Sequence, residues 1–175
     1  MSQTNELEIM ERIALDLEHV EESLASSFNT GAEDFNALIR PLSAAGGKRL
    51  RAQLCLLIAN AGTSIERQRI KIAEAVEMLH LATLIHDDVL DQAEIRRGED
   101  TIHMHKGNKV AILSGDYLFA KAFKIVSEMT NMKYLQVFSH IITCLVEGEF
   151  MQMEDVYRID QGIERYMTKS QKKTA

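Results

Sequence analysis

A chain of 175 residues with 46% hydrophobic side chains is long enough to bury the core of one domain, residues 1–175. Its net charge of −6 argues against general nucleic-acid affinity, and no apolar run reaches the length needed for stable membrane insertion. One proline, nine glycines, nine methionines and no tryptophan describe a chain that is helical throughout.

The spacing of apolar residues predicts helices over about 4–28, 34–40, 47–61, 65–92, 108–129, 132–154 and 159–173. The first carries Leu7, Met10, Ile13, Leu17, Val20 and Leu24 on one face. Breaks are expected at Asn29-Thr30-Gly31, Ala44-Ala45-Gly46-Gly47, Gly62-Thr63-Ser64 and the loop from Gly98 to Gly107. No alternating segment competes with the helical pattern. Cys55 and Cys144 fall in apolar helical contexts, which reads as buried thiols in a reducing cytoplasm rather than a disulfide. The acidic, amphipathic N-terminal segment is not a signal peptide.

Two segments carry chemistry. In Gly46-Gly47-Lys48-Arg49-Leu50-Arg51, glycines precede a basic helix start, and Lys48 and Arg51 are spaced to share a helix face. Helix N termini attract anions, and basic side chains there oppose the dipole, so phosphate binding explains them better than stability does. The Gly-x4-Gly-Lys-Ser/Thr spacing of a P-loop is absent. The second segment runs from His80 through Asp87, Asp88 and Asp91 to Arg96 and Arg97. Asp87 and Asp91 are four apart and share a face, with Asp88 turned away. Carboxylates this close repel unless a cation sits among them, and an oxygen-only set favours Mg²⁺ completed by water and phosphate. Arginine forks suit phosphate oxygens. Read alone, the aspartates are a solvated face and His80 a satisfied core histidine; the apolar helix around them favours the rim of a cavity. His103-x-His105 is weak as a Zn²⁺ pattern, with no third ligand close in sequence. His86 faces away from the aspartates, and Asp116 and Phe119 read as structural.

These motifs, in this order, resemble the trans-polyprenyl diphosphate synthases, the head-to-tail isoprenoid chain-elongating enzymes. Gly46 to Arg51 is similar to the family's Gly-Gly-Lys-Arg-x-Arg segment. Glu77-Met-Leu-His80 with Asp87-Asp88-x-x-Asp91 and Arg96-Arg97-Gly98 is similar to its first aspartate-rich motif. Ser114-Gly115-Asp116-Tyr117-Leu118, Gly148-Glu149 with Gln152, and Lys173-Thr174-Ala175 resemble three later signatures. The resemblance implies an all-α bundle of the isoprenoid-synthase fold, here its N-terminal part. It implies Mg²⁺ on Asp87 and Asp91, with Asp88 a weaker participant in catalysis. Isopentenyl diphosphate would be held by Lys48, Arg51, His80 and Arg97. Arg96 and Lys173 would meet an allylic prenyl diphosphate. Ala82 and Thr83, small residues one turn before the metal, imply a medium- or long-chain product, plausible as a quinone tail. A cytoplasmic homodimer is implied, with a heterodimer as the alternative.

The family's second aspartate-rich motif has no counterpart in these residues, and the stretch from Glu147 to Asp155 lacks the Asp-Asp-x-x-Asp pattern. The expectation is therefore a truncated chain, inactive alone. The alternative is a non-catalytic partner subunit, though such a subunit has no need of an intact isopentenyl site. A terpene cyclase has no need of one either.

Overall fold

A computed structural model describes residues 3–28, 33–44, 47–62 and 65–174. Asn29, Thr30, Gly31, Ala45, Gly46, Thr63, Ser64 and Ala175, which belong to turns and signatures named above, lie outside them. Among the described residues are eight helices and one two-stranded hairpin, in two compact units, Met1–Glu128 and Met129–Ala175. The all-α class expected from composition is what the chain adopts. No helix among the described residues is long and apolar enough to cross a membrane.

The first unit contains α1 (Gln3–Ser27), α2 (Glu33–Ala44), α3 (Leu50–Asn60), α4 (Glu66–Leu90), β1 (Ile95–Arg96), β2 (Glu99–Asp100), α5 (Ile102–Lys106) and α6 (Asn108–Ser127). No glycine or proline interrupts α4, and its buried residues include Ala73, Met78, Leu79, Leu81, Ala82 and Ile85. Such a run covers more than one side of a helix, because α4 packs against α1, α3 and α6. Val20 and Leu24 of α1, Leu56 of α3 and Leu118 of α6 complete this core.

Boundaries differ from expectation in several places, and the last helix begins at Ile163 rather than near residue 159. α2 continues through Pro41, although the ring leaves the Ala37 carbonyl without its helical donor. α3 begins at Leu50 rather than near residue 47, because Arg49 is left-handed (φ 46°, ψ 37°). α4 ends at Leu90: the Gln92 amide donates to the Val89 carbonyl (3.4 Å) and the Ala93 amide to that of Asp88 (2.9 Å). This is a Schellman closure, with Gln92 (φ 52°) where glycine is usual. Finally, the expected loop holds α5 and a hairpin whose strands are too short to show alternation. Ile95 opposes Asp100 and Arg96 opposes Glu99, and the turn residues Arg97 and Gly98 both have positive φ.

Helices α4 and α6 approach closely at Gly115. A methyl group there would overlap the His86 ring, which sits 3.1 Å from the Ile112 carbonyl and packs on Phe119. Gly115→Ala must displace the His86 ring; overpacking of about 1–3 kcal/mol set against roughly 1 kcal/mol of helix propensity gained by alanine leaves a net cost of about 1 kcal/mol. That lowers the thermal midpoint by roughly 2–4 °C; an unchanged midpoint in a calorimetric scan would contradict the close approach.

The second unit is α7 (Met132–Glu154) and α8 (Ile163–Thr174), packed on each other. Asn131 caps α7 by accepting from the Lys133 amide (3.0 Å). Asp155, 5% exposed, accepts from Arg165 Nε (2.6 Å) and Lys169 Nζ (3.2 Å) and so ties α8 to the end of α7. Burial pushes its carboxyl up, but those hydrogen bonds outweigh it and hold the pKa below the usual range. Gly148 lets α8 come close; a Cβ there would lie 3.1 Å from the Lys173 amide nitrogen.

Candidate diphosphate and metal site

The aspartates sit where α4 runs out. The Asp91 amide donates the last helical hydrogen bond, to the Asp87 carbonyl (2.8 Å), and Asp91 is the C-cap residue. Asp87 is half-buried and Asp91 exposed. Asp88 differs: it is 6% exposed and accepts from Arg96 Nε at 2.6 Å. One aspartate is thus committed to an arginine. Asp87 and Asp91 lie at the negative end of a helix dipole, which itself favours a cation. This donor set fits Mg²⁺, which keeps several waters and takes one or two carboxylates.

The cationic part surrounds His80. Arg51 Nη1 lies 3.1 Å from His80 Nε2. A guanidinium only donates, so Nε2 accepts and the ring proton resides on Nδ1. The Arg97 guanidinium lies over Gly47, where a Cβ would come within 3.0 Å of Nη2. Burial, then Arg51, then Arg97, Arg96 and Arg49 push the imidazole pKa from 6.5 down to about 4. The unfolded chain therefore takes up this proton at higher pH than the folded chain. The His80 contribution lowers stability as pH falls from 6.5 to about 4 and adds no pH dependence above that window. In NMR titration, the His80 ring is expected to stay neutral throughout pH 5.5–8. Arg51→Gln should raise its midpoint, because a neighbouring positive charge is gone. A midpoint near 6.5 in the unaltered chain would contradict the cluster.

The remaining predicted residues fall as follows. Lys48 is exposed and precedes the left-handed Arg49, so it is not on a helical face with Arg51; its carbonyl accepts from the Gln53 side chain (2.6 Å). Lys173 lies in the second unit, 2.6 Å from Glu149. Ala82 is 0% exposed, whereas Thr83 is half-buried and its hydroxyl donates to the His80 carbonyl (2.8 Å). His103 is hydrogen-bonding distance from Thr101 Oγ1 (2.9 Å), and His105 is 3.7 Å from Asp100. A separate group, Asp16, His19 and Glu66, brings ligand atoms within 4.8 Å of one another. Asp16 there is already held by Arg69 at 2.6 and 2.9 Å, which makes an ion-paired cluster rather than a metal centre.

Three residues to which sequence reasoning assigned no role frame the site. Arg49, 6% exposed, donates to Glu21 at 2.5 and 3.0 Å and lies 3.6 Å from Glu77. The hydrogen bonds to Glu21 raise its pKa further. Glu77 also accepts from the Ala52 amide (3.0 Å). The one available signal was a carboxylate embedded in an apolar helix three residues before His80.

Known proteins resemble this chain over most of its length. Residues 32–175 match the family profile described as Polyprenyl synthetase. Heptaprenyl diphosphate synthase component 2 of Geobacillus stearothermophilus is 38% identical over 161 residues, covering 91% of this chain and 50% of the relative. Octaprenyl diphosphate synthase of Escherichia coli is 33% identical over 167 residues, covering 95% and 52%. Among solved structures, geranylgeranyl pyrophosphate synthase from Lactobacillus brevis superposes with a TM-score of 0.89 at 31% identity, covering 94% of this chain and 52% of that one. A Caulobacter crescentus polyprenyl synthase, solved with calcium and isoprenyl diphosphate, gives 0.88 at 32% identity, covering 94% and 50%. The chain spans about half the length of these relatives. With more than half of its residues inside the family profile, the chain belongs to the polyprenyl synthetase family.

Proposed function

We propose that these residues supply the isopentenyl-binding and first-metal half of a trans-prenyltransferase, which lengthens an allylic diphosphate with isopentenyl diphosphate. The observation that carries this reading is one helix, α4, with a cluster of arginines around His80 and the carboxylates of Asp87 and Asp91 at its end. Seven residues separate them, roughly 10 Å along the axis, about the scale of two adjacent diphosphate-bearing substrates. Arg51, His80 and Arg97, with Lys48, grip the diphosphate of isopentenyl diphosphate and orient its double bond. Asp87 and Asp91 would hold Mg²⁺, which would supply charge neutralisation to the departing allylic diphosphate. Asp88 holds Arg96 ready for that same diphosphate, a role the family resemblance extends to Lys173. The double bond provides the electron pair of the new carbon–carbon bond. Diphosphate leaves with the pair of the broken carbon–oxygen bond, and a proton is then lost to it. The apolar walls of α4 keep water from the cation.

The names of the solanesyl, octaprenyl and heptaprenyl relatives support a medium- or long-chain product. Both units are read as parts of one synthase domain, since the family match runs across them. The enzyme is read as a cytoplasmic homodimer, although the Arabidopsis and Oryza solanesyl relatives are named chloroplastic. The second reading, a subunit of a heterodimeric synthase, is favoured by the name of the Geobacillus relative, a component. These 175 residues contain a single Asp-Asp-x-x-Asp segment, so alone they are expected to bind isopentenyl diphosphate without condensing it. Titration calorimetry with isopentenyl diphosphate tests the binding, and radiolabelled isopentenyl incorporation tests the condensation. Robust incorporation by the 175-residue chain would refute the half-site reading, and absence of isopentenyl diphosphate binding would refute the function itself.

A further inference from the structure

The basic segment ahead of α3 has an awkward geometry. Arg49 adopts a left-handed conformation that costs a residue with a Cβ about 1–2 kcal/mol. Such a conformation persists only where its surroundings over-determine it. The surroundings here are specific. Arg49 forms a bidentate ion pair with Glu21 of α1, at 2.5 and 3.0 Å, and its other terminal nitrogen lies 3.6 Å from Glu77 of α4. Arg49 gives α3 no side-chain cap; the Ala52 amide, in the first turn, is instead satisfied by Glu77 from the neighbouring helix at 3.0 Å. Two carboxylates also offset the basic residues that crowd this helix N terminus. With its side chain 5% exposed, Arg49 is too buried to reach a ligand in the open site. Yet two residues before it Gly47 lies beneath Arg97, and two residues after it Arg51 meets His80.

We propose that Arg49 is the positioning residue of the diphosphate site: clamped by Glu21 and Glu77, it fixes the left-handed turn that presents Gly47 to Arg97 and Arg51 to His80. This rests on the reading of that cluster as the isopentenyl diphosphate site. Without the clamp the turn relaxes toward ordinary backbone, and the two halves of the anion cluster lose their register.

The test uses the 175-residue chain and isopentenyl diphosphate as probe, with affinity from titration calorimetry, the His80 titration from NMR and the thermal midpoint measured together. Arg51→Gln comes first: an unchanged affinity removes the site, and the inference with it. If Arg51→Gln abolishes binding, Arg49→Lys and Glu21→Gln decide the positioning role. Arg49→Lys keeps the charge but not the fork, and is expected to weaken binding at least tenfold. Glu21→Gln, at a carboxylate 43% exposed and so tolerant of change, is expected to weaken it about fivefold. Both should raise the His80 midpoint, because Arg51 drifts from the ring. Wild-type affinity in both variants overturns the proposal. So does weaker binding with an unmoved His80 titration, which marks a general loss of stability. Should Arg49→Lys fail to fold, Glu21→Gln alone decides by the same two readouts.

Discussion

Alanine at Asp87 or at Asp91 is expected to lower kcat of the whole synthase by about 10³-fold, some 4 kcal/mol of transition-state stabilisation. The thermal midpoint should barely move, because neither side chain belongs to the core: Asp87 is half-buried and Asp91 exposed. Asp88→Ala should lower turnover less, through the Arg96 it positions, and should lower the midpoint as well. It strips a buried carboxylate from Arg96 at 2.6 Å, so it loosens the hairpin and lowers the midpoint. Arg96 is one-third exposed, which limits that cost. Steady-state kinetics beside a melting curve separates the classes. Near-normal turnover in the Asp87 or Asp91 variant would end the metal assignment, and equal loss of stability in all three would mean that they act as one structural cluster.

The second large effect concerns product length. A chain growing from the carboxylate end of α4 runs back along earlier turns of that helix, and Ala82 and Thr83 lie about one turn below Asp87. Sequence alone treats the two as equal gates, but the structure separates them. Ala82 has no exposed surface, whereas Thr83 is only half-buried. Thr83→Phe is therefore expected to stop elongation at shorter products, of farnesyl or geranylgeranyl size, read by chromatography of the dephosphorylated alcohols. Ala82→Phe must place a ring in packed core, and its first consequence is a stability loss of about 1–3 kcal/mol. An unchanged product from a well-folded Thr83→Phe enzyme would assign length control to another wall.

What could be read from sequence follows the range of the interactions. The course of α4 and the relation of Asp87 to Asp91 depend on periodicity and on four-residue spacing, both local. The buried role of Asp88 was only half visible: its turn away from the other two is periodic, but its bond to Arg96 depends on the intervening hairpin. The shared face of Lys48 and Arg51 failed because a single left-handed residue, Arg49, lies between them, and no glycine marks it. Gln92 hid the end of α4 in the same way. The clamp on Arg49 joins residues 28 positions apart in the chain, beyond any pattern of one helix. Lys173, assigned by resemblance, meets Glu149 within its own unit.

The hairpin between Ile95 and Asp100 also limits how this region can change in length over evolution or in engineering. Arg96 sits in a strand paired with Glu99, and Arg97 occupies the turn, so each guanidinium leaves the ribbon in its own direction. One goes to Asp88 and the other to Gly47. Inserting a residue between Gln92 and Arg96 moves both arginines along the ribbon together, whatever residue is added. Substitutions can therefore be sampled singly here, but insertions and deletions cannot. The connector around Ile159, 99% accessible between α7 and α8, is held by a different device: the Gln161 side chain accepts from Lys169 of α8 (3.2 Å).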